Sequence, residues 1–278
     1  MASIFRPGLF EGHVAIITGG GSGIGLATAH TMGELGAKIA ICGRNPEKLE
    51  VGRAELAARG IEIFARTCDI RDVEQVDAFV SAAAEALGPA SILVNNAGGQ
   101  FPTAAEDLSA KGWEAVIRNN LNGTFFMTQT VAKKAMIRHR RGRIVNVIAN
   151  VVRGFPGMVH TGAARAGVEN MTKTLAVEWA QHNIQVNAIA PGIIRTSGTA
   201  QYPPELIEMS RQHTPAKRVG TSEEVAELIA YLACEAAWFV TGETWYIDGG
   251  AHLWGENWPI PDGPPAPVPP IVESLGKR

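Results

Sequence analysis

The sequence predicts an α/β fold, one doubly wound parallel sheet of about seven strands with helices on both faces. Two observations carry this. Short apolar runs alternate with longer amphipathic stretches, and the first run is followed by a cluster of glycines that opens a helix. Val14-Ala15-Ile16-Ile17-Thr18 reads as a buried strand, then comes the glycine turn and a helix from Gly23 to Gly36. Lys38 to Cys42 is the second strand, Pro46 to Arg59 a helix, and Glu62 to Arg66 the third strand. Val73 to Leu87 is helical and Ile92 to Asn95 is strand four. Trp113 to His139 carries a long helical pattern, broken near Asn122-Gly123. Arg143 to Ile148 is strand five, Gly162 to His182 a helix, and Ile184 to Ile189 strand six. A helix over Glu223 to Cys234 and a strand over Thr244 to Asp248 complete the pattern. Such alternation makes right-handed βαβ units.

The chain has 278 residues. At ~150 residues per domain that allows two, but nothing marks a second one. Residues 1–254 read as a single domain and 255–278 as a tail. Pro259, Pro261, Pro264, Pro265, Pro267, Pro269 and Pro270 crowd that tail, which excludes helix or inner strand. It reads equally as an arm on a neighbouring subunit or as an unordered terminus. Apolar residues make up 46% and charged residues 19%, enough to bury a core. Lys+Arg 25 against Asp+Glu 27 argues against a nucleic-acid binder or a polybasic membrane anchor. The basic run Arg138 to Arg143 reads as the cationic end of a helix. Cys42, Cys68 and Cys234 are scattered without metal spacing and fit reduced thiols. There is no signal-peptide pattern, no spanning apolar run and no Ser-Lys-Leu-type ending. The expectation is a soluble, cytoplasmic protein with a small-molecule substrate and no nucleic-acid or membrane partner.

Thr18-Gly19-Gly20-Gly21-Ser22-Gly23-Ile24-Gly25 lies between a strand and its helix. Glycines there bring backbone N–H groups and a helix N-terminus up to a pyrophosphate, as in a Rossmann-like fold. The residue past strand two reads the adenosine ribose. A carboxylate there suits NAD, and an arginine suits the 2′-phosphate of NADP. The turn is Gly43-Arg44-Asn45, with no acid at the strand end, so NADPH/NADP is expected and NAD is the lesser choice. Arg44 also reads as a solvated residue starting a helix.

With these motifs in place, residues 12 to 250 resemble a short-chain dehydrogenase/reductase. Thr18 to Gly25 matches the family's glycine motif, Asp69-Ile70 its adenine-bracketing pair, and Asn95-Asn96-Ala97-Gly98 its strand-four motif. Asn120-Leu121-Asn122-Gly123 matches the helix asparagine motif, and Pro191-Gly192-Ile193-Ile194-Arg195-Thr196 the segment touching nicotinamide. Asp248-Gly249-Gly250 matches the terminal turn. The resemblance implies a homodimer or homotetramer. It implies cofactor contacts from Gly19, Gly21, Ser22, Gly23, Ile24, Gly25, Asp69, Ile70, Asn96, Ala97, Gly98, Arg165, Pro191, Gly192, Ile194 and Thr196.

The family works with Asn, Ser, Tyr and Lys. Here Asn120 is retained, the Ser position falls on Ala149, and Tyr-x-x-x-Lys falls on Thr161-Gly162-Ala163-Ala164-Arg165. Sliding by one residue puts His160 at the Tyr position but Ala164 at the Lys position. A threonine hydroxyl is far less acidic than a phenol of pKa ~10, and arginine cannot relay a proton. Ketone and alcohol chemistry needs a matched acid–base group. Reduction of the C=C bond of an enoyl thioester relaxes that demand, because its enolate oxygen needs only hydrogen-bond donors. Thr161 and Asn120 are donors of the right type. The segment Val159 to Val168 most resembles peroxisomal-type trans-2-enoyl-CoA reductases, with dienoyl-CoA reductases nearby. This makes an acyl-CoA thioester the expected substrate, within fatty acid metabolism, with Arg153, Lys217 and Arg218 as bases for coenzyme A phosphates. His160 reads either as a donor to the α-carbon or as a histidine packed at a helix start. Tyr202 reads either as a substitute phenol or as an exposed lid residue. Two other functions fit the same residues: an NADP-dependent dehydrogenase of a hydrophobic, terpenoid-like alcohol, and a non-catalytic NADP(H)-binding subunit.

Overall fold

The computed structural model describes residues 5–196, 204–255, 259–263 and 267. The elements run β1 (Val14–Thr18), α1 (Gly23–Glu34), β2 (Lys38–Gly43), α2 (Pro46–Ala58), β3 (Ile63–Thr67), α3 (Val73–Leu87) and β4 (Ile92–Asn95). Then come α4 (Ala110–Ile117), α5 (Gly123–Val131), α6 (Ile137–His139), β5 (Gly142–Val147), α7 (Val159–Glu178) and β6 (Ile184–Pro191). The rest are β7 (Ile194–Arg195), α8 (Pro204–Gln212), β8 (Gly220–Thr221), α9 (Ser222–Ala233) and β9 (Thr244–Ile247). Seven strands form one parallel sheet in the order β3-β2-β1-β4-β5-β6-β9, as the sequence predicts. The order reverses between β1 and β4, and ligands of open α/β sheets bind at the carboxyl ends of strands at that point.

Residue alternation explains the two-sided core. Ala15 and Ile17 of β1 face α1, α2 and α9, where Met32, Leu56 and Ile229 are buried. Val14 and Ile16 face α3 and α5, where Phe79, Met127 and Val131 are buried. Burying a side chain such as Phe79, which is fully enclosed, contributes about 2–3 kcal/mol. A buried polar chain crosses this core. Asn95 Nδ2 donates to Thr128 Oγ1 and to Asn146 Oδ1, both at 2.8 Å. Asn146 Nδ2 donates to Thr172 Oγ1 at 2.9 Å. The chain ties β4 and β5 to α5 and α7.

Three expectations about elements are corrected. The pattern read from Trp113 is already helical from Ala110, where Ser109 Oγ accepts from Gly112 N. It is not broken at Asn122-Gly123: the chain stays helical to His139 and absorbs the irregularity in π-turns over Arg118–Asn122 and Ala132–Met136. Gly123 serves packing, since a Cβ there would lie 2.6 Å from Ile70. The helix read from Gly162 begins at Val159, which places His160 and Thr161 inside its first turn. Its last residues, Ala180–His182, form a separate 3₁₀ turn. The segment between strand six and the next helix holds α8 and the small β7–β8 pair, neither of which the sequence pattern showed.

Candidate active site

A cleft of about 410 Å³ opens at the strand-order reversal. Its floor forms because Thr18 Oγ1 accepts from Asn96 N (3.0 Å) and Ala97 N (2.9 Å), while Asn96 Nδ2 donates to Thr18 O (3.0 Å). These bonds clamp the ends of β1 and β4 together. Of the residues expected to hold the cofactor, Gly19, Gly21, Ser22, Gly23, Ile24, Arg44, Ile70, Asn96, Ala97, Gly98 and Thr196 line the cleft. Glycine is required at two of these turns. Gly19 has φ +67°, and a Cβ on Gly21 would lie 2.8 Å from the Lys48 carbonyl. Gly25 does not line the cleft; it packs behind, where a Cβ would overlap the Gly19 carbonyl.

Other expected contacts sit elsewhere. The Asp69 carboxylate is taken by the fork of Arg71, with Nε at 2.9 and 3.0 Å and Nη2 at 2.5 Å. That guanidinium holds Asp69 below the usual carboxylate range. Pro191, Gly192 and Ile194 are not in the lining, and Gly192 is pressed against the Asp248 backbone. Lys48, Leu49, Cys68 and Asn119 do line the cleft and were not anticipated. Lys48 was findable: it lies in the first turn of α2, four residues after Arg44. Arg44 and Lys48 are both exposed at this edge of the cleft.

The residues expected to carry the reaction lie on α7 and the π-turn, next to the loop after β4. Arg165 is buried and its Nη1 donates to Val147 O at 2.9 Å. Its Nη2 lies where a Cβ on Gly98 would be, so the guanidinium backs the cleft directly. No acid among the described residues offsets it, and burial lowers its pKa to about 10. Asn120 is not the free donor expected. Its Oδ1 accepts from Gly99 N and its Nδ2 donates to Gly99 O, both at 3.0 Å. It is a positioning residue for the loop after β4, held inward by the π-turn that carries it. Thr161 is fully buried, with Oγ1 3.2 Å from His160 Nδ1. Ala149 leaves no hydroxyl at the Ser position, and the next residue, Asn150, donates to Asp248 Oδ2 at 3.1 Å. Tyr202 lies outside the described residues.

His160 is the informative group. Thr161 N–H donates to its Nδ1 at 2.7 Å. A backbone N–H can only donate, so Nδ1 is the acceptor and the neutral ring carries its proton on Nε2. Nε2 is buried with no partner among the described residues. Phe101, from the loop after β4, crosses the ring at 75° with centroids 4.7 Å apart. An unpaired buried donor costs about 1–3 kcal/mol, so it calls for an acceptor.

The chain is similar to several known proteins. Residues 19–252 match the sequence pattern of a family described as Enoyl-(Acyl carrier protein) reductase. A Bacillus subtilis protein described as a probable 2,4-dienoyl-CoA reductase is 38% identical over 87% of this chain and 98% of its own length. Two solved structures are similar. A citronellol catabolism dehydrogenase from Pseudomonas aeruginosa is 44% identical, covers 91% of this chain and 100% of its own, and superposes with a TM-score of 0.82. An actinorhodin polyketide ketoreductase solved with NADPH is 33% identical, with the same coverage and a TM-score of 0.84.

Proposed function

The chain belongs to the short-chain dehydrogenase/reductase family and is an NAD(P)-dependent oxidoreductase, and from that premise we propose that it reduces the C=C bond of a trans-2-enoyl-CoA with NADPH. One observation carries this reading. Where the family's phenol would stand, the site offers an unpaired N–H on His160 and a threonine whose hydroxyl is enclosed. That is a donor set for stabilising an oxyanion, without an obvious acid for making an alcohol.

The cleft suits the cofactor, since the glycine turn leaves room for a pyrophosphate and Arg44 and Lys48 suit a 2′-phosphate. Bound there, NADPH would supply the hydride that adds to the β-carbon. Negative charge then develops on the thioester oxygen, where His160 Nε2–H donates to it. Thr161 N–H fixes the ring tautomer that makes this donation possible. Arg165 adds a positive charge behind Gly98, and Asn120 holds that loop in place. The α-carbon takes its proton from water, so hydride and proton together saturate the double bond.

Mixing the protein with NADPH and trans-2-decenoyl-CoA tests the reading. The expected result is NADPH consumption with the saturated thioester as product. A second reading, oxidation of a terpenoid-like alcohol, is favoured by the similarity to the citronellol catabolism dehydrogenase. NADP⁺ reduction by citronellol, with no reaction of the thioester, would establish it instead. The NADPH preference has its own test. Arg44→Asp is expected to weaken NADPH binding about 10- to 100-fold, the value of a charge-assisted phosphate contact, and to improve NADH binding. Cofactor fluorescence titrations read both. Unchanged NADPH affinity would remove Arg44 from the site.

A further inference from the structure

Beside the cofactor cleft lies a second cavity, of about 430 Å³, between β7, α8 and the 217–221 segment. Four cationic side chains line it, Arg195, Arg211, Lys217 and Arg218, against one acid, Glu208. Arg153, expected beside Lys217 and Arg218 at coenzyme A phosphates, donates to the Trp254 carbonyl and does not line the cavity. Three of the four are held in place. Arg218 forks onto Glu224 (2.6 and 2.8 Å) and Arg211 onto Glu208 (2.6 and 2.8 Å). Lys217 is almost enclosed. Its Nζ donates to Gln212 O at 3.1 Å and stands 3.6 Å from Asp262. Its backbone adopts φ +54°, a conformation that a side-chain-bearing residue rarely takes and that the surrounding contacts must impose. Arg195 is exposed, and its guanidinium has no hydrogen bond or ion pair among the described residues, while its carbonyl accepts from Ser222 Oγ. Counting Glu208, Glu224 and Asp262 against the four cations still leaves the cavity positive.

One carboxylate would need a single arginine fork. Three guanidiniums and an ammonium converging on one cavity suit a group carrying several anionic oxygens, which is a phosphate ester. Arg195 precedes Thr196, and Thr196 lines the cofactor cleft, so the two cavities adjoin. We propose that this cavity is the subsite for the phosphates of the 3′-phospho-ADP end of coenzyme A, holding the carrier while the acyl group reaches the cofactor cleft. The proposal rests on the thioester reading above and adds to it where the carrier binds.

The experiment compares decenoyl-CoA with decenoyl-pantetheine, which lacks the nucleotide. It also titrates adenosine 3′,5′-bisphosphate into protein saturated with NADP⁺, which blocks the cofactor's own adenosine site. For the wild type, KM is expected to be at least tenfold lower for the CoA thioester, and the bisphosphate is expected to bind. In Arg195→Glu, and separately in Arg211→Glu on α8, the KM ratio between the two thioesters is expected to fall about tenfold, with loss of bisphosphate binding. Equal KM values for both thioesters, with no bisphosphate binding, would overturn the subsite and leave the thioester reading intact. If neither thioester turns over, the thioester reading has failed. The titration then decides the subsite by itself: binding that Arg195→Glu abolishes supports a phosphate site, and no binding overturns it.

Discussion

His160→Asn is expected to lower kcat for enoyl thioester reduction by about 10²–10³, the usual loss on removing an oxyanion donor. The asparagine Oδ1 can replace Nδ1 as acceptor for the Thr161 N–H, so the start of α7 is preserved. What disappears is the far N–H. His160→Gln restores a donor near the Nε2 position and is expected to keep kcat within about tenfold of wild type. NADPH affinity should not move in either variant, because His160 is not in the lining of the cofactor cleft. Steady-state kinetics and cofactor fluorescence separate these effects. A His160→Asn enzyme with wild-type kcat would mean that the imidazole only fills space beneath Phe101.

The second large effect is a trade of stability against function. Arg165→Met is expected to raise Tm while abolishing turnover. The guanidinium is buried without an acid among the described residues, and burial lowers its pKa to about 10. A cation whose folded pKa is depressed disfavours folding while it is charged. The penalty is therefore fully present below about pH 10 and is relieved as pH rises from there towards the ordinary value of an exposed guanidinium. At about 1.4 kcal/mol per pKa unit it is on the order of 3 kcal/mol. Methionine removes it but leaves the Val147 carbonyl short of a donor, which returns about 1 kcal/mol. A net gain of about 2 kcal/mol corresponds to about 4–8 °C in Tm for a domain of this size. Differential scanning calorimetry of the cofactor-free protein reads it directly. A lower Tm would show that Arg165 repays its burial in the empty protein.

The fold was legible because its signals are local. A strand buried on both faces is apolar along its length, and Val14 to Ile17 shows that without any partner in view. The glycine turn was legible for the same reason, since positive φ and close backbone approach leave glycine as the residue of choice. The site was less legible because its roles are decided across the fold. Asn120 matches a motif, yet its amide is consumed by Gly99, a partner 21 positions away. Asp69 sits where an adenine contact was expected and turns to Arg71 instead. The donor of His160 depends on a hydrogen bond from its neighbour's backbone and on the lack of one at the opposite nitrogen, and neither is written in residue identity. The helix α8 escaped notice because it is largely polar, which resembles a loop when read without its surroundings.

The buried run from Asn95 through Asn146 to Thr172, with Thr128 at its side, bears on how this protein can change over generations. Replacing Asn146 alone by leucine leaves one N–H of the Asn95 amide without an acceptor, at about 1–3 kcal/mol, and takes a donor from the Thr172 hydroxyl, which keeps its own bond to the Val168 carbonyl. Replacing all four residues by apolar groups of matching shape can be close to neutral. The intermediates are therefore the costly sequences. Drift at these four positions is blocked one step at a time and open only as a joint move, so they are inherited as a unit although they lie on four different elements.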